Sequence, residues 1–263
     1  MRQVVLAIVL ALGVGSASPA AARPLRIMSL DQCADQYVLA LAPDADLALS
    51  PRADDPDSWM KAQATGRRRI RPTLEAAIGF RPDVVVRYWG GEPRLLAALE
   101  QRGARVVTIA DATDLDQVRD VVRTVAVGLD QPARGERMVE QMDRRLGSID
   151  EVSRGSALYL TAGGFTAGRG TLIGAILETA GYANLADRAG FSAVSVERIA
   201  LFPPTRFVLG FFDQVRADWR GPGRHPVVRR AAQGRTVARL PATALSCPAW
   251  FAAEAAVMLG QAG

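Results

Sequence analysis

The sequence predicts an α/β chain of two lobes of like topology joined by one long helix, with a ligand cleft between the lobes. Three observations predict it. Short β-branched or apolar runs alternate with helical patterns, as in a parallel sheet covered by helices. The order of these runs is the same in two successive halves. A long amphipathic stretch without a strand signal separates the halves.

In the first half, Leu25–Leu30 reads as a strand and Ala34–Ala42 as a helix, followed by a Pro/Asp-rich loop over Pro43–Ser58. A short helix at Leu74–Gly79, a strand at Val84–Arg87, a helix at Pro93–Gln101 and a strand at Arg105–Ile109 complete it. In the second half, Ala157–Thr161 is a strand and Thr171–Thr179 a helix closed by Gly181. A short helix at Val196–Leu201, a strand at Arg206–Leu209, a helix at Pro226–Ala232 and a strand at Thr236–Leu240 follow. The repeat is sharpest where Thr73-Leu-Glu75 precedes Pro82 and Ser195-Val-Glu197 precedes Pro204, with seven residues from Glu to Pro in both. Gly103 and Gly234 then open the next strand of each half, 28 and 37 residues after the glutamate.

Between the halves, Asp114–Ala126 carries Leu115, Val118, Val121, Val122 and Val125 on one face, with Gly128 to stop it. A second helix from Pro132 places Met138, Val139, Met142, Leu146 and Ile149 at the same period and links the lobes. The expected boundaries are 1–22 for a signal peptide, 23–127 for the first lobe, 128–152 for the linker helix and 153–263 for the second lobe.

The signal peptide rests on Arg2, on the twelve apolar residues Val4–Gly15 and on the small residues ending Ala20-Ala21-Ala22, an A-x-A cleavage site. A run of twelve is too short for hydrocarbon, which takes about 20 residues, so a cleaved leader and a periplasmic mature protein are expected. Composition, 49% hydrophobic and 22% charged, excludes fibrous and disordered classes. The net charge of +5 comes from scattered arginines with no run beyond Arg67, Arg68, Arg69 and Arg71, so no nucleic-acid partner is expected. One histidine, His225, cannot assemble a bare-metal site with other histidines, and no nucleophile turn lies near it. The expectation is therefore a protein with no catalytic residues, no metal site and no cofactor.

Two α/β lobes joined by a helix in an exported chain resemble the helical-linker class of periplasmic substrate-binding proteins, in its vitamin B12 and iron-siderophore branch. The residues that carry the resemblance are PLRIMSLDQCADQYVLAL (24–41), LEAAIGFRPDVVV (74–86) with YWGG (88–91), TAGRGTL (166–172), VERIALFPP (196–204) and CPAWFAAEA (247–255). It implies two Rossmann-like lobes, a monomer, a metal-chelate ligand of the cobalamin or ferric siderophore class, and delivery to an ABC transporter permease. The family's docking glutamates fall on Glu75 and Glu197, which by themselves read equally as acidic first-turn residues of short helices.

Open α/β sheets bind ligands beyond the carboxyl ends of their strands. That rule and the resemblance nominate Asp31, Gln32, Trp59, Tyr88, Trp89, Phe165, Arg169, Phe211 and Trp250 as ligand-binding residues. Loop aromatics suit a broad, partly apolar chelate, or else plug their own lobes. Gly163–Thr171 is a near miss for a nucleotide loop, with Arg169 in place of the lysine and Gly170 in place of the Mg²⁺-binding hydroxyl. It reads as a ligand-binding helix start or as a plain glycine turn. Cys33 and Cys247 could be a disulfide, two buried thiols or contacts to the chelate. A non-transport sensory protein of the same fold and a periplasmic hydrolase stand as alternatives.

Overall fold

Val84, Val85 and Val86 are apolar at every position, the mark of a strand covered on both faces, and they lie at the centre of a parallel sheet. The computed structural model describes residues 23–214 and 220–262, so the expected signal peptide at 1–22 lies outside the described residues. Lobe one runs β1 (Arg26–Ser29), α1 (Gln32–Leu41), β2 (Asp46–Ala48), α2 (Lys61–Ala64), α3 (Leu74–Phe80), β3 (Val84–Arg87), α4 (Pro93–Glu100), β4 (Arg105–Thr108) and α5 (Leu115–Gly128). Its strands lie in the order β2-β1-β3-β4, all parallel. Helix α6 (Pro132–Leu146) follows, inside the segment expected to link the lobes.

Lobe two runs β5 (Ser156–Thr161), β6 (Phe165–Ala167), α7 (Leu172–Thr179), β7 (Ala183–Asn184), β8 (Phe191–Ala193), α8 (Val196–Leu201) and β9 (Phe207–Gly210). A 3₁₀ turn at Pro222–Arg224, α9 (Pro226–Ala232), β10 (Thr236–Leu240), α10 (Ala242–Leu245) and α11 (Ala252–Gln261) complete it. The sheet order β7-β5-β9-β10, again parallel, is the order of lobe one repeated.

The structure corrects the sequence reading in three places. The Pro43–Ser58 loop contains β2, whose Asp46–Ala48 pair with Arg26–Met28. The glycine-rich segment after β5 is not a bare turn, because β6 forms a two-stranded antiparallel ribbon with β8. The short edge strand β7 pairs Ala183 with Ser156.

Helices α1, α5, α7 and α11 bury their apolar faces in one core that passes from lobe to lobe through Tyr37, Val122, Ile176 and Phe251. Helix α6 packs against α5 and α11, and Arg145 on α6 forms a bidentate pair with Glu254 on α11. Cys33 and Cys247 are joined by a disulfide with their Cα atoms 5.6 Å apart. Nearby, the Tyr37 hydroxyl of lobe one donates to the Pro248 carbonyl of lobe two at 2.7 Å.

Candidate functional site

The carboxyl ends of both sheets deliver loops to the space between the lobes. There Tyr88, Asp111 and Thr113 of lobe one and Thr171, Phe191 and Cys247 of lobe two line a recess of about 370 Å³. A larger hollow, about 690 Å³, lies between α9 and the β9–β10 edge, wholly within lobe two. The interlobe recess is the better candidate because it alone draws residues from both sets of strand ends, where α/β sheets hold ligands.

Asp31 builds this site without facing it. It follows β1 and caps α1, its Oδ1 accepting from the Ala34 N–H at 3.0 Å. Its Oδ2 accepts from the N–H groups of Tyr88 at 2.7 Å and Gly90 at 2.9 Å, and the side chain is buried. Asp31 therefore fixes the Tyr88–Gly91 turn. A Cβ at Gly90 would stand 2.7 Å from the Leu30 carbonyl oxygen, so only glycine fits the approach. Gln32 is likewise buried, its amide donating to Ser58 Oγ at 2.9 Å and tying α1 to the loop before α2.

The pinned turn leaves Trp89 exposed and sets Tyr88 half-buried at the recess, where its hydroxyl donates to Asp111 Oδ1. Burial, with the adjoining Asp111 carboxylate, pushes the Tyr88 hydroxyl above its usual range, so it remains a proton donor. Across the cleft, the β6–β8 ribbon pairs Phe165 with Ala193 and Ala167 with Phe191, which puts both phenylalanines on one face. Both are exposed. Phe191 is a site residue that sequence reasoning missed; its only signal was an aromatic beside Gly190 in a short polar stretch.

Trp59 and Trp250 are placed differently. Trp59 stacks on Phe251 with centroids 5.1 Å apart and planes at 19°, while Trp250 meets Tyr37 and Phe251 edge-on at 5.5 and 5.2 Å. This cluster packs against the shared core. Its rings join the lobes, which is a packing role.

The glycine segment leads from β6 into α7, and its Gly170 and Thr171 line the recess. Thr171 caps α7 by accepting from Gly174 N–H at 3.0 Å, and its hydroxyl donates to the Gly168 carbonyl at 2.7 Å. A Cβ on Gly168 would collide with the Arg188 carbonyl oxygen, so glycine there serves close packing on the 188–190 backbone. Arg169 stands exposed at the tip. Phe211, half-buried with φ at 60°, turns the chain out of β9, and the following Asp213 carboxylate accepts from Ala242 N–H at 3.0 Å.

Glu75 and Glu197 are exposed on α3 and α8, helices capped in the same way by Thr73 (3.3 Å to Ala76 N–H) and Ser195 (3.1 Å to Arg198 N–H). The Ser195 hydroxyl also donates to Glu197 Oε2 at 2.7 Å and holds that carboxyl below the usual glutamate range.

Comparison with known proteins bears on this arrangement. A family model described as periplasmic binding protein matches residues 29–205. A vitamin B12-binding protein of Salmonella paratyphi A is 28% identical over 145 residues, which is 52% of this chain and 54% of that protein. The chain thus spans about half the length of the curated relatives it matches. Among solved structures, a possible iron-binding (periplasmic solute-binding) protein of Staphylococcus epidermidis superposes with a TM-score of 0.68 at 18% identity, covering 91% of this chain and 98% of that one. A periplasmic heme-binding protein of Roseiflexus superposes at 0.67 with 21% identity, covering 91% and 97%. The duplicated sheets, the helix between them and the match over residues 29–205 agree: the chain belongs to the periplasmic binding protein family.

Proposed function

We propose that this protein is a periplasmic receptor that captures a metal chelate between its lobes, a corrinoid or a ferric siderophore, and delivers it to the permease of an ABC importer without chemical change. The observation that carries this reading is the interlobe recess, lined from both lobes and rimmed by exposed Phe191 with Tyr88 held by Asp111. An apolar, aromatic rim with few polar anchors suits a broad, rigid ligand whose own metal is already coordinated. The named relative is a vitamin B12-binding protein, and proteins of like fold include a possible iron-binding one and a heme-binding one, which extends the class to a metal macrocycle such as heme.

The Cys33–Cys247 disulfide, the Tyr37–Pro248 hydrogen bond and the Trp59–Phe251 stack tie the lobes beside the cleft, so they resist wide opening. Asp31 prepays the ordering of the Tyr88–Gly90 turn before the ligand arrives. Glu75 and Glu197 then offer one exposed carboxylate per lobe to cationic residues of the permease.

The test is uptake of labelled chelate by the reconstituted importer with the double variant Glu75→Arg, Glu197→Arg. Transport is expected to collapse while chelate binding by the receptor is unchanged. Full transport by the variant would contradict delivery through these two glutamates, and absence of transport with the wild-type receptor would favour a receptor that serves no permease.

A further inference from the structure

The two lobes agree in fold and differ in what they show beside their glutamates. Five residues after Glu75 stands Phe80, and five after Glu197 stands Phe202; Pro82 and Pro204 follow at equal spacing. Phe80 is 4% exposed, its ring covered by the guanidinium groups of Arg26 at 4.6 Å and Arg68 at 5.5 Å. Phe202 is 76% exposed, and Leu201, where lobe one has Gly79, is 73% exposed.

The fold of lobe two does not require this exposure. The core contact of α8 is made by Ile199, which is buried. Phe202 instead borders a cavity of about 370 Å³, with Leu185, Val194, Ile199 and Pro204 on its apolar side and the Arg198–Asp187 ion pair (2.6 Å) at its edge. A knob and a recess therefore lie side by side, on and just after the six-residue helix that carries Glu197. At the equivalent place in lobe one, α3 shows the half-exposed aliphatics Leu74 and Ile78.

We infer that Leu201 and Phe202, with the recess beside them, form an apolar contact for the permease that has no equal in lobe one, so the receptor docks in one of its two pseudo-symmetric orientations. The inference rests on the docking reading above and deepens it. Charge favours the permease over a second copy of this chain. Glu197 takes part in no salt bridge among the described residues, and its hydrogen bond from Ser195 keeps it ionised. A two-fold contact between copies through this patch would bring like carboxylates together, whereas a cationic partner gains from them. Exposed aromatic side chains such as Phe202 are enriched at the cores of protein–protein interfaces, with charged groups such as Glu197 at the rim.

The test measures binding of the mature receptor to its own importer in lipid nanodiscs. Three variants are compared with wild type: Leu201→Ser with Phe202→Ser, Leu74→Ser with Ile78→Ser, and Glu197→Lys. The lobe-two serine pair is expected to weaken importer binding by about tenfold or more and the lobe-one pair by less than about threefold. Chelate binding and thermal midpoint should stay at wild-type values in both. Phe202→Lys alone repeats the test should the double variant fail to fold. Wild-type importer affinity in the lobe-two pair overturns the inference. If Glu197→Lys then loses affinity, the docking reading survives and the apolar contact alone falls; if it also binds normally, both fall. A receptor dimer that the lobe-two pair disperses, with importer affinity unchanged, would make a second copy the occupant and overturn the inference as well.

Discussion

Cys33, in the first turn of α1, is bonded to Cys247, just before α11, so one covalent link spans a sequence separation of 214 residues and fastens lobe two to lobe one beside the cleft. The unfolded chain loses a large loop's freedom to that link. Replacing both cysteines with serine is expected to lower stability by about 2–4 kcal/mol, read as a fall in the urea midpoint. An unchanged midpoint would mean the other interlobe contacts already hold the native state and the link adds nothing.

Asp31 serves three backbone N–H groups, those of Ala34, Tyr88 and Gly90. Asp31→Ala removes a helix cap and leaves two further donors unpaired, one of them on buried Gly90, so a loss of about 2 kcal/mol or more is expected. Chelate affinity should fall with it, since Tyr88 and Trp89 lose their fixed turn. Wild-type affinity in this variant would show that the turn does not contact the ligand.

Exposed and packed aromatics should part company in mutation. Trp89 and Phe191 are 58% and 64% exposed, so Trp89→Ala and Phe191→Ala are expected to leave stability within about 0.5 kcal/mol. Each should weaken chelate binding by roughly tenfold. Trp59→Ala, which breaks the stack on Phe251, should cost about 3 kcal/mol in stability. A stable Trp59→Ala chain with lost binding would move Trp59 into the ligand site.

Asp35 is buried beneath the site, where its carboxylate accepts hydrogen bonds from Ser29 and Ser50. Loss of hydration outweighs those bonds and lifts it from 3.8 to about 6. Between these values the native state holds a proton that the unfolded chain has released. Stability therefore falls as pH rises from about 4 to about 6, by about 3 kcal/mol from this group, and is flat above. Asp83, Asp187 and Glu197, all held below their usual ranges, slope the other way, so the difference between wild type and Asp35→Asn isolates the effect. Urea titrations at several pH values should show the variant without this slope; a difference independent of pH would contradict it.

The duplicated fold was legible because its signals are local. Thr73 and Ser195 are caps, Val84–Val86 a doubly covered strand, and the Glu-to-Pro spacing repeats. What stayed hidden depends on distant partners. Asp46–Ala48 becomes a strand because β1 offers an open edge, not because three such residues prefer it. Phe165 and Phe191 come to share one face of the ribbon through the pairing of β6 with β8 across α7, and Phe191 lines the recess. Asp31 was nominated as a ligand-binding residue, and its cap on α1 and its bonds to Tyr88 and Gly90, which lie two strands later, were hidden. Trp59 and Trp250 lie in loops, as their sequence surroundings indicate, but their packing on Phe251 and Tyr37 depends on partners far along the chain.

The central claim, that the cleft between the lobes holds a metal chelate, is tested most directly by titrating the intrinsic tryptophan fluorescence of residues 23–263 with cyanocobalamin, hemin, ferric hydroxamates and ferric citrate, corrected for ligand absorbance. One of these chelates should quench the emission saturably at submicromolar concentration, with Trp89→Phe reducing the amplitude. Emission unmoved by the entire panel would leave the fold intact and contradict the claim.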